Sequence, residues 1–172
     1  MGQRGRVPPP SPVQGATVSI PCHPMSAAAL IADQLGRLLI VRPAGESSGW
    51  HLPGGLVEAG ESPRDAARRE VREEVGLDLE LGELLSVNWV APRTPRRLPR
   101  LAFLFAGPVL PISKLSGLRP QLGEIRACRM VPYDRALLLL HPLVAARIPH
   151  RDRPISGSVY RETRTAERTS LS

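Results

Sequence analysis

Aromatic residues are nearly missing from this chain: two Trp, two Tyr and two Phe amount to 3% of 172 residues. A core must therefore be assembled from Leu, Val, Ile and Ala, and the 42% hydrophobic content is enough for one domain with tails. Cysteine is scarce as well. Cys22 and Cys128 form no pair or cluster, which argues against a disulfide framework or a zinc site. No apolar run approaches the roughly 20 residues that span a bilayer. The first residues carry charge without a following apolar segment, so no secretory signal is expected and the protein is expected in the cytoplasm. An excess of acid is also lacking, since 23 basic residues stand against 16 acidic ones for a net charge of +7. A basic balance raises nucleic acid as a partner, yet residues 26–146 hold 15 basic and 13 acidic side chains. Most of the surplus sits in the ends, at Arg4, Arg6, Arg147, Arg151, Arg153, Arg161, Arg164 and Arg168. It belongs to the termini rather than to a binding face, and nucleic acid is not the expected partner.

Three regions follow from composition. Residues 1–25, rich in proline with little periodicity, read as a flexible tail. Residues 26–146 carry the patterned segments. Residues 147–172 lose apolar periodicity and read as a basic, disordered tail. Within the central region, Ser26–Asp33 and Leu38–Arg42 are apolar runs separated by Gln34-Leu35-Gly36-Arg37, a hairpin signal. Leu79–Val90 reads as extended, Leu101–Phe105 as a central strand, Gly107–Gly123 as a long connection and Glu124–Val131 as a strand. Pro132-Tyr133-Asp134 then introduces a helix through Leu140. Strands around two helices give a mixed α/β chain.

The informative stretch runs from Gly55 to Leu77. Ser62-Pro63 supplies a capping hydroxyl followed by proline at the first helical position, and Gly76 supplies a stop. Ala67, Val71 and Val75 recur every fourth residue and form a buried stripe. On another face of the same helix, Glu70, Glu73 and Glu74 stand at i, i+3 and i+4, so their carboxylates share adjoining turns. Unpaired, they repel one another. A hard divalent cation relieves that repulsion by taking carboxylate oxygens and keeping other sites for water and phosphate. A solvated acidic face would need neither the glycines at 55 and 76 nor the arginine at 69.

Glycine, five residues, Glu61, seven residues, then Arg69-Glu70-Val71-Arg72-Glu73-Glu74-Val75-Gly76-Leu77 resembles the Nudix box at every defined position. The chain is therefore similar to the Nudix hydrolases. The similarity covers residues 26–140 in the order of elements, while only the box and Pro53-Gly54-Gly55 are specific. The resemblance implies the Nudix fold, an α/β/α sandwich with a mixed β-sheet. It also implies Mg²⁺- or Mn²⁺-dependent hydrolysis of a nucleoside diphosphate linked to another group, with a small-molecule nucleotide as substrate. Carried across residue by residue, it makes Glu70 and Glu74 metal ligands, together with the Gly54 carbonyl oxygen. Glu73 is a further ligand or the base that deprotonates the attacking water. Glu61 binds Arg69 to hold loop and helix together, and Gly55 lets the backbone approach the metal. Glu124 is the alternative base, and Glu73 is preferred. Arg42, Arg93, Arg96, Arg97 and Arg100 are candidates for phosphate contact, because planar guanidinium groups suit bidentate recognition of phosphate. Trp50 and Trp89 read as core packing before base stacking, and His51 as a structural residue.

Pro92, about fifteen residues after the box, resembles a mark of ADP-ribose hydrolysis, and Thr94 stands where dinucleoside-polyphosphate enzymes carry tyrosine. ADP-ribose-like sugar nucleotides are therefore favoured slightly over nucleoside triphosphates. Two rivals stand beside this reading: an RNA-directed, cap-type pyrophosphohydrolase guided by the basic tails, and a non-catalytic nucleotide-binding module. The intact box argues against the module. The sequence does not disclose the oligomeric state; many relatives are homodimers, and a homodimer stands here as an analogy only.

Overall fold

In a computed structural model the described residues are 22–45, 49–92, 94, 97–150 and 158–163. The expected N-terminal tail lies almost wholly outside them. Strands β1 (Met25–Asp33) and β2 (Arg37–Pro43) form the hairpin that the sequence announces. Its turn is closed by Asp33, whose carboxylate accepts from the Leu35 and Arg37 amides at 2.9 Å each and from Arg37 Nε at 2.7 Å. The two strands then splay apart. Into the gap runs the segment from Trp50 to the short strand β3 (Gly54–Leu56), with His51 bridging Val41 of β2 and β3 pairing antiparallel with β1.

Helix α1 (Pro63–Val75) follows β3. Then come β4 (Leu84–Val90), β5 (Arg100–Leu110), the single-turn α2 (Ile112–Leu115), β6 (Ile125–Pro132), α3 (Tyr133–Leu139) and α4 (Pro142–Ala145). The sheet order is β6-β2-β1-β5-β4-β7, mixed because β1 pairs parallel with β5 while β1–β2, β2–β6 and β4–β5 are antiparallel. Strand β7 (Val159–Thr163) joins β4 in parallel at the edge. It lies in the region expected to be disordered, and packing also runs past residue 146, for Ile148 is buried. Pairing with an existing edge supplies the backbone partners that so polar a segment lacks on its own.

Strand alternation divides the core into two layers. Ala27, Ala29, Ile31, Leu39 and Val41 point to the α1 side, where they meet Ala66, Ala67, Val71 and Val75. Leu38, Ile40, Leu52 and Leu104 point to the other side, under Tyr133, Ala136 and Ile148. The result is the α/β/α sandwich. Trp89 packs edge-on against His23 at 5.0 Å, and Trp50 lies against the second layer. Among the described residues, no helix is long and apolar enough to cross a membrane.

Candidate active site

Helix α1 is built by its caps and its buried stripe. Ser62 Oγ accepts from the Asp65 amide at 3.2 Å and donates to the Asp65 carboxylate at 2.6 Å. At the other end Gly76 adopts φ 74° and returns its N–H to Arg72 O at 3.0 Å. With Ala67, Val71 and Val75 turned into the core, geometry leaves Glu70, Glu73 and Glu74 facing the Gly54-Gly55 turn and its rim.

Glu74 is the innermost of the three, only 9% exposed, and its Oε2 accepts from the Gly54 N–H at 2.8 Å. Burial pushes its carboxyl up to about 7; the Gly54 bond opposes that shift, and the charges of Glu70, Glu124 and Glu73 add to it. Glu70 is also raised, first by burial, against the pull of Arg69 and with repulsion from Glu73 and Glu124. Glu124 therefore belongs electrostatically to the same cluster as the helix glutamates. Backbone bonds put it there: Ala44 N–H donates to Glu124 O at 2.8 Å, Glu124 N–H to Gln121 O at 3.3 Å, and Gln121 N–H to Glu74 O at 3.1 Å.

Arg69 ties the outer part together. Its Nη2 donates to Glu61 Oε1 at 2.8 Å and to Leu56 O at 3.0 Å, and its Nε to Glu61 Oε2 at 3.2 Å. Its Nη1 donates to Glu70 Oε1 at 2.9 Å and Glu73 Oε2 at 3.0 Å. Glu61 is the strongest of the influences holding the guanidinium charged. In return Arg69, and then the Glu58 amide at 2.7 Å, hold the Glu61 carboxyl below its usual range. Loop 56–61 and helix α1 are thus clamped through one side chain. At Gly55 a Cβ would collide with the Glu70 carboxylate, so the glycine makes the cradle in which that carboxylate lies.

This donor set fits a hard divalent cation. It is all oxygen, mutually repelling and only partly neutralised, and it opens on a glycine cradle. As the side chains lie, no three His, Cys, Asp or Glu groups among the described residues enclose an ion. Glu70 and Glu73 are turned toward Arg69, and Glu74 toward Gly54. At Gly54 the contact seen is the amide hydrogen bonded to Glu74, where the sequence reading expects the carbonyl on a metal.

The phosphate candidates are less concentrated. Arg42 is exposed near the end of β2, on the strand face shared with Leu38 and Ile40 and opposite α1. Arg97 and Arg100 are exposed in and after the 91–99 loop, and Arg93 and Arg96 lie outside the described residues. Arg147, assigned by composition to a tail, instead donates from Nη2 to Phe103 O at 2.9 Å, and burial, then Arg100, lowers its pKa to about 10. Sequence reasoning missed Arg129 and Arg135, which line a cleft with Trp50; strand alternation in β6 was a signal for Arg129, while Arg135 stands on α3.

An α/β/α sandwich with an acidic helix set against a glycine turn defines the Nudix class of fold. The NUDIX domain family matches residues 23–152, and the chain belongs to that family. A MutT-like protein of Streptomyces ambofaciens is 43% identical over 69 residues, 40% of this chain and 44% of that protein. An RNA pyrophosphohydrolase of Saccharophagus degradans is 42% identical over 73 residues, 41% of this chain and 43% of that protein. The chain thus spans less than half the length of these curated relatives. In structure it resembles the MutT protein of Methanosarcina mazei Go1, with a TM-score of 0.61 at 23% identity over 73% of this chain and 89% of that one, a likeness of fold.

Proposed function

We propose that this chain hydrolyses a phosphoanhydride bond in a nucleoside diphosphate linked to another group. The observation that carries the reading is the gathering of Glu70, Glu73, Glu74 and Glu124 about the Gly54-Gly55 turn, with a mutual charge repulsion that a bound cation would relieve. Bound Mg²⁺ or Mn²⁺ would neutralise the substrate's phosphates and lower the pKa of the attacking water. Glu70 and Glu74 would hold the metal, and the Gly54 carbonyl could add an oxygen. The Gly54 amide fixes the Glu74 carboxylate, and Arg69 orients Glu70 and Glu73 while Glu61 keeps Arg69 in place. Glu73, with its side chain 43% exposed, has room to turn from Arg69 and accept the water proton. Glu124 is the alternative base, reached from β6. Arg42 and the arginines of the 91–100 loop would contact phosphate.

Sugar nucleotides such as ADP-ribose are the small-molecule reading, resting on Pro92. A second reading, removal of pyrophosphate from the 5′ end of RNA, is favoured by the curated relative named RNA pyrophosphohydrolase. The test is phosphate release, with a coupled phosphatase, from ADP-ribose, nucleotide sugars, nucleoside triphosphates and 5′-triphosphorylated RNA. Metal-dependent hydrolysis of one class, lost in Glu70→Gln, supports the proposal and names the substrate. Silence across the panel with Mg²⁺ and with Mn²⁺ refutes it.

A further inference from the structure

We infer that Arg147, Ser86 and Asn88, with Arg100 at the rim, form a binding site for a phosphate dianion in the second layer of the sandwich, apart from the glutamate site. Strand register places the parts. Ser86 pairs with Leu104 and Asn88 with Ala102, and cross-strand partners share a face. Leu104 belongs to the layer under Tyr133 and Ile148, so Ser86 and Asn88 face that layer too. Val90 pairs with Arg100, two residues further along each strand, which puts Arg100 on the same face. Arg147 reaches this face from the end of α4, where Val144, Ala145 and Ile148 pack on the layer. Its Nη2 donates to Phe103 O at 2.9 Å. Phe103 pairs with Val87, the residue between Ser86 and Asn88, so the anchor of the guanidinium lies one strand spacing, about 5 Å, from that stretch of β4.

Each of these groups has hydrogen-bonding capacity left over. Ser86 is 1% exposed and Asn88 3%, and Ser86 Oγ, Asn88 Oδ1 and Arg147 Nε are buried with no protein partner. They are three of five such side-chain atoms among the described residues, and they gather on one patch of sheet. Water would satisfy the hydroxyl and the amide but leave the charge. Burial, then Arg100, lowers the Arg147 pKa to about 10, and no carboxylate opposes them. Among the described residues neither arginine has a carboxylate within ion-pair distance, whereas Arg37, Arg68 and Arg69 all have one. Two cations held together without a counter-charge call for an anion from outside. A phosphate dianion answers both needs. It neutralises both guanidinium groups, and its oxygens accept from Arg147 Nε, from the Ser86 hydroxyl and from the Asn88 amide turned to present its N–H. A carboxylate brings one charge and two oxygens, too few for this set. Arg147 is only partly buried and Arg100 is exposed, so an anion reaches the site from solvent. Register thus draws Arg100 away from the substrate and leaves Arg42, Arg93, Arg96 and Arg97 for it.

The experiment is calorimetric titration of orthophosphate, glycerol phosphate and acetate into the full chain in chelator, where no metal bridges an anion to the glutamates. One phosphate should bind per chain with a Kd of about 1 mM or tighter. Arg147→Gln and Arg100→Gln should each weaken it at least fivefold, and acetate should bind at least tenfold more weakly than phosphate. Arg129→Gln, in the cleft beside Trp50, should leave the affinity unchanged. Arg100 is exposed, so its variant reads the site even if Arg147→Gln impairs folding. Tighter binding of orthophosphate assigns the free ion, and tighter binding of glycerol phosphate assigns a phosphomonoester; either supports the site. Absence of wild-type binding overturns the inference, as does unaltered affinity in Arg100→Gln. An equal loss in Arg129→Gln, or acetate bound as tightly as phosphate, overturns it as well, because the anion would then be answering only the general positive charge. None of these outcomes bears on the proposed hydrolysis, which is read with metal present and from Glu70→Gln.

Discussion

Replacing Glu74 with Gln should make the metal-free protein more stable while disabling its site. Glu74 is buried, receives one N–H, and faces three other carboxylates, so its carboxyl is pushed from 4.5 up to about 7. In the unfolded chain the same group ionises near 4.5. Between pH 4.5 and 7 the folded state therefore holds more protons than the unfolded one, and stability falls as pH rises through that window. At 1.36 kcal/mol per pH unit the full loss is about 3 kcal/mol, complete above pH 7 and absent below 4.5. Gln keeps an oxygen for the Gly54 amide and carries no charge, so the variant should escape the penalty. In a domain of this size about 3 kcal/mol corresponds to roughly 8 °C in Tm. The assay is thermal unfolding in chelator at pH 5 and pH 8. At pH 5 the two proteins should melt within a few degrees of each other. At pH 8 Glu74→Gln should melt higher, and added Mg²⁺ or Mn²⁺ should then raise the wild type toward it while leaving the variant unmoved. A variant no more stable than the wild type at pH 8 in chelator would refute the account of Glu74 as an uncompensated buried charge.

Two further outcomes follow from the same geometry. Glu73→Gln should lower kcat by roughly 10²- to 10⁴-fold with metal binding retained, the range of a lost general base; near-normal turnover there beside a collapse in Glu124→Gln would move the base to Glu124. Gly55→Ala should place a methyl where the Glu70 carboxylate lies, weakening metal binding at least tenfold by titration while far-UV circular dichroism stays unchanged; unaltered affinity would show that Glu70 has another place to sit.

Much of the site was legible because it is local. The Ser62 and Gly76 caps, the Ala67-Val71-Val75 stripe and the shared face of the three glutamates depend on spacings within one helix, and the structure keeps all of them. The Glu61–Arg69 pair is likewise fixed by its place in the box. What pattern could not supply was the product of distant pairing. Residues expected to extend from Leu79 instead wrap without a ladder until Leu84, held by Arg64 Nη1 on Leu81 O at 3.0 Å and Gly82 N–H on Ala106 O at 2.7 Å. Strand β5 runs on to Leu110, and Ile112–Leu115 forms a turn of helix, inside what reads as one long connection. Strand β7 has no apolar alternation to announce it and exists only beside β4. The face occupied by Arg42 follows from pairing with β6, and the approach of Glu124 to Glu74 from backbone bonds across two loops.

Those loop bonds carry one more consequence. Arg119 N–H rests on Val75 O at 2.8 Å and Gln121 N–H on Glu74 O at 3.1 Å, so the segment leading to Glu124 hangs from the last turn of the helix that bears the other glutamates. The two sources of carboxylate are mechanically coupled. A displacement of the helix end would be passed through these two bonds to the segment that carries Glu124. The Gly54 amide on Glu74 and the Leu56 carbonyl on Arg69 tie this acidic unit to the glycine turn as well, so helix, turn and the approach to β6 hold the carboxylates as one body.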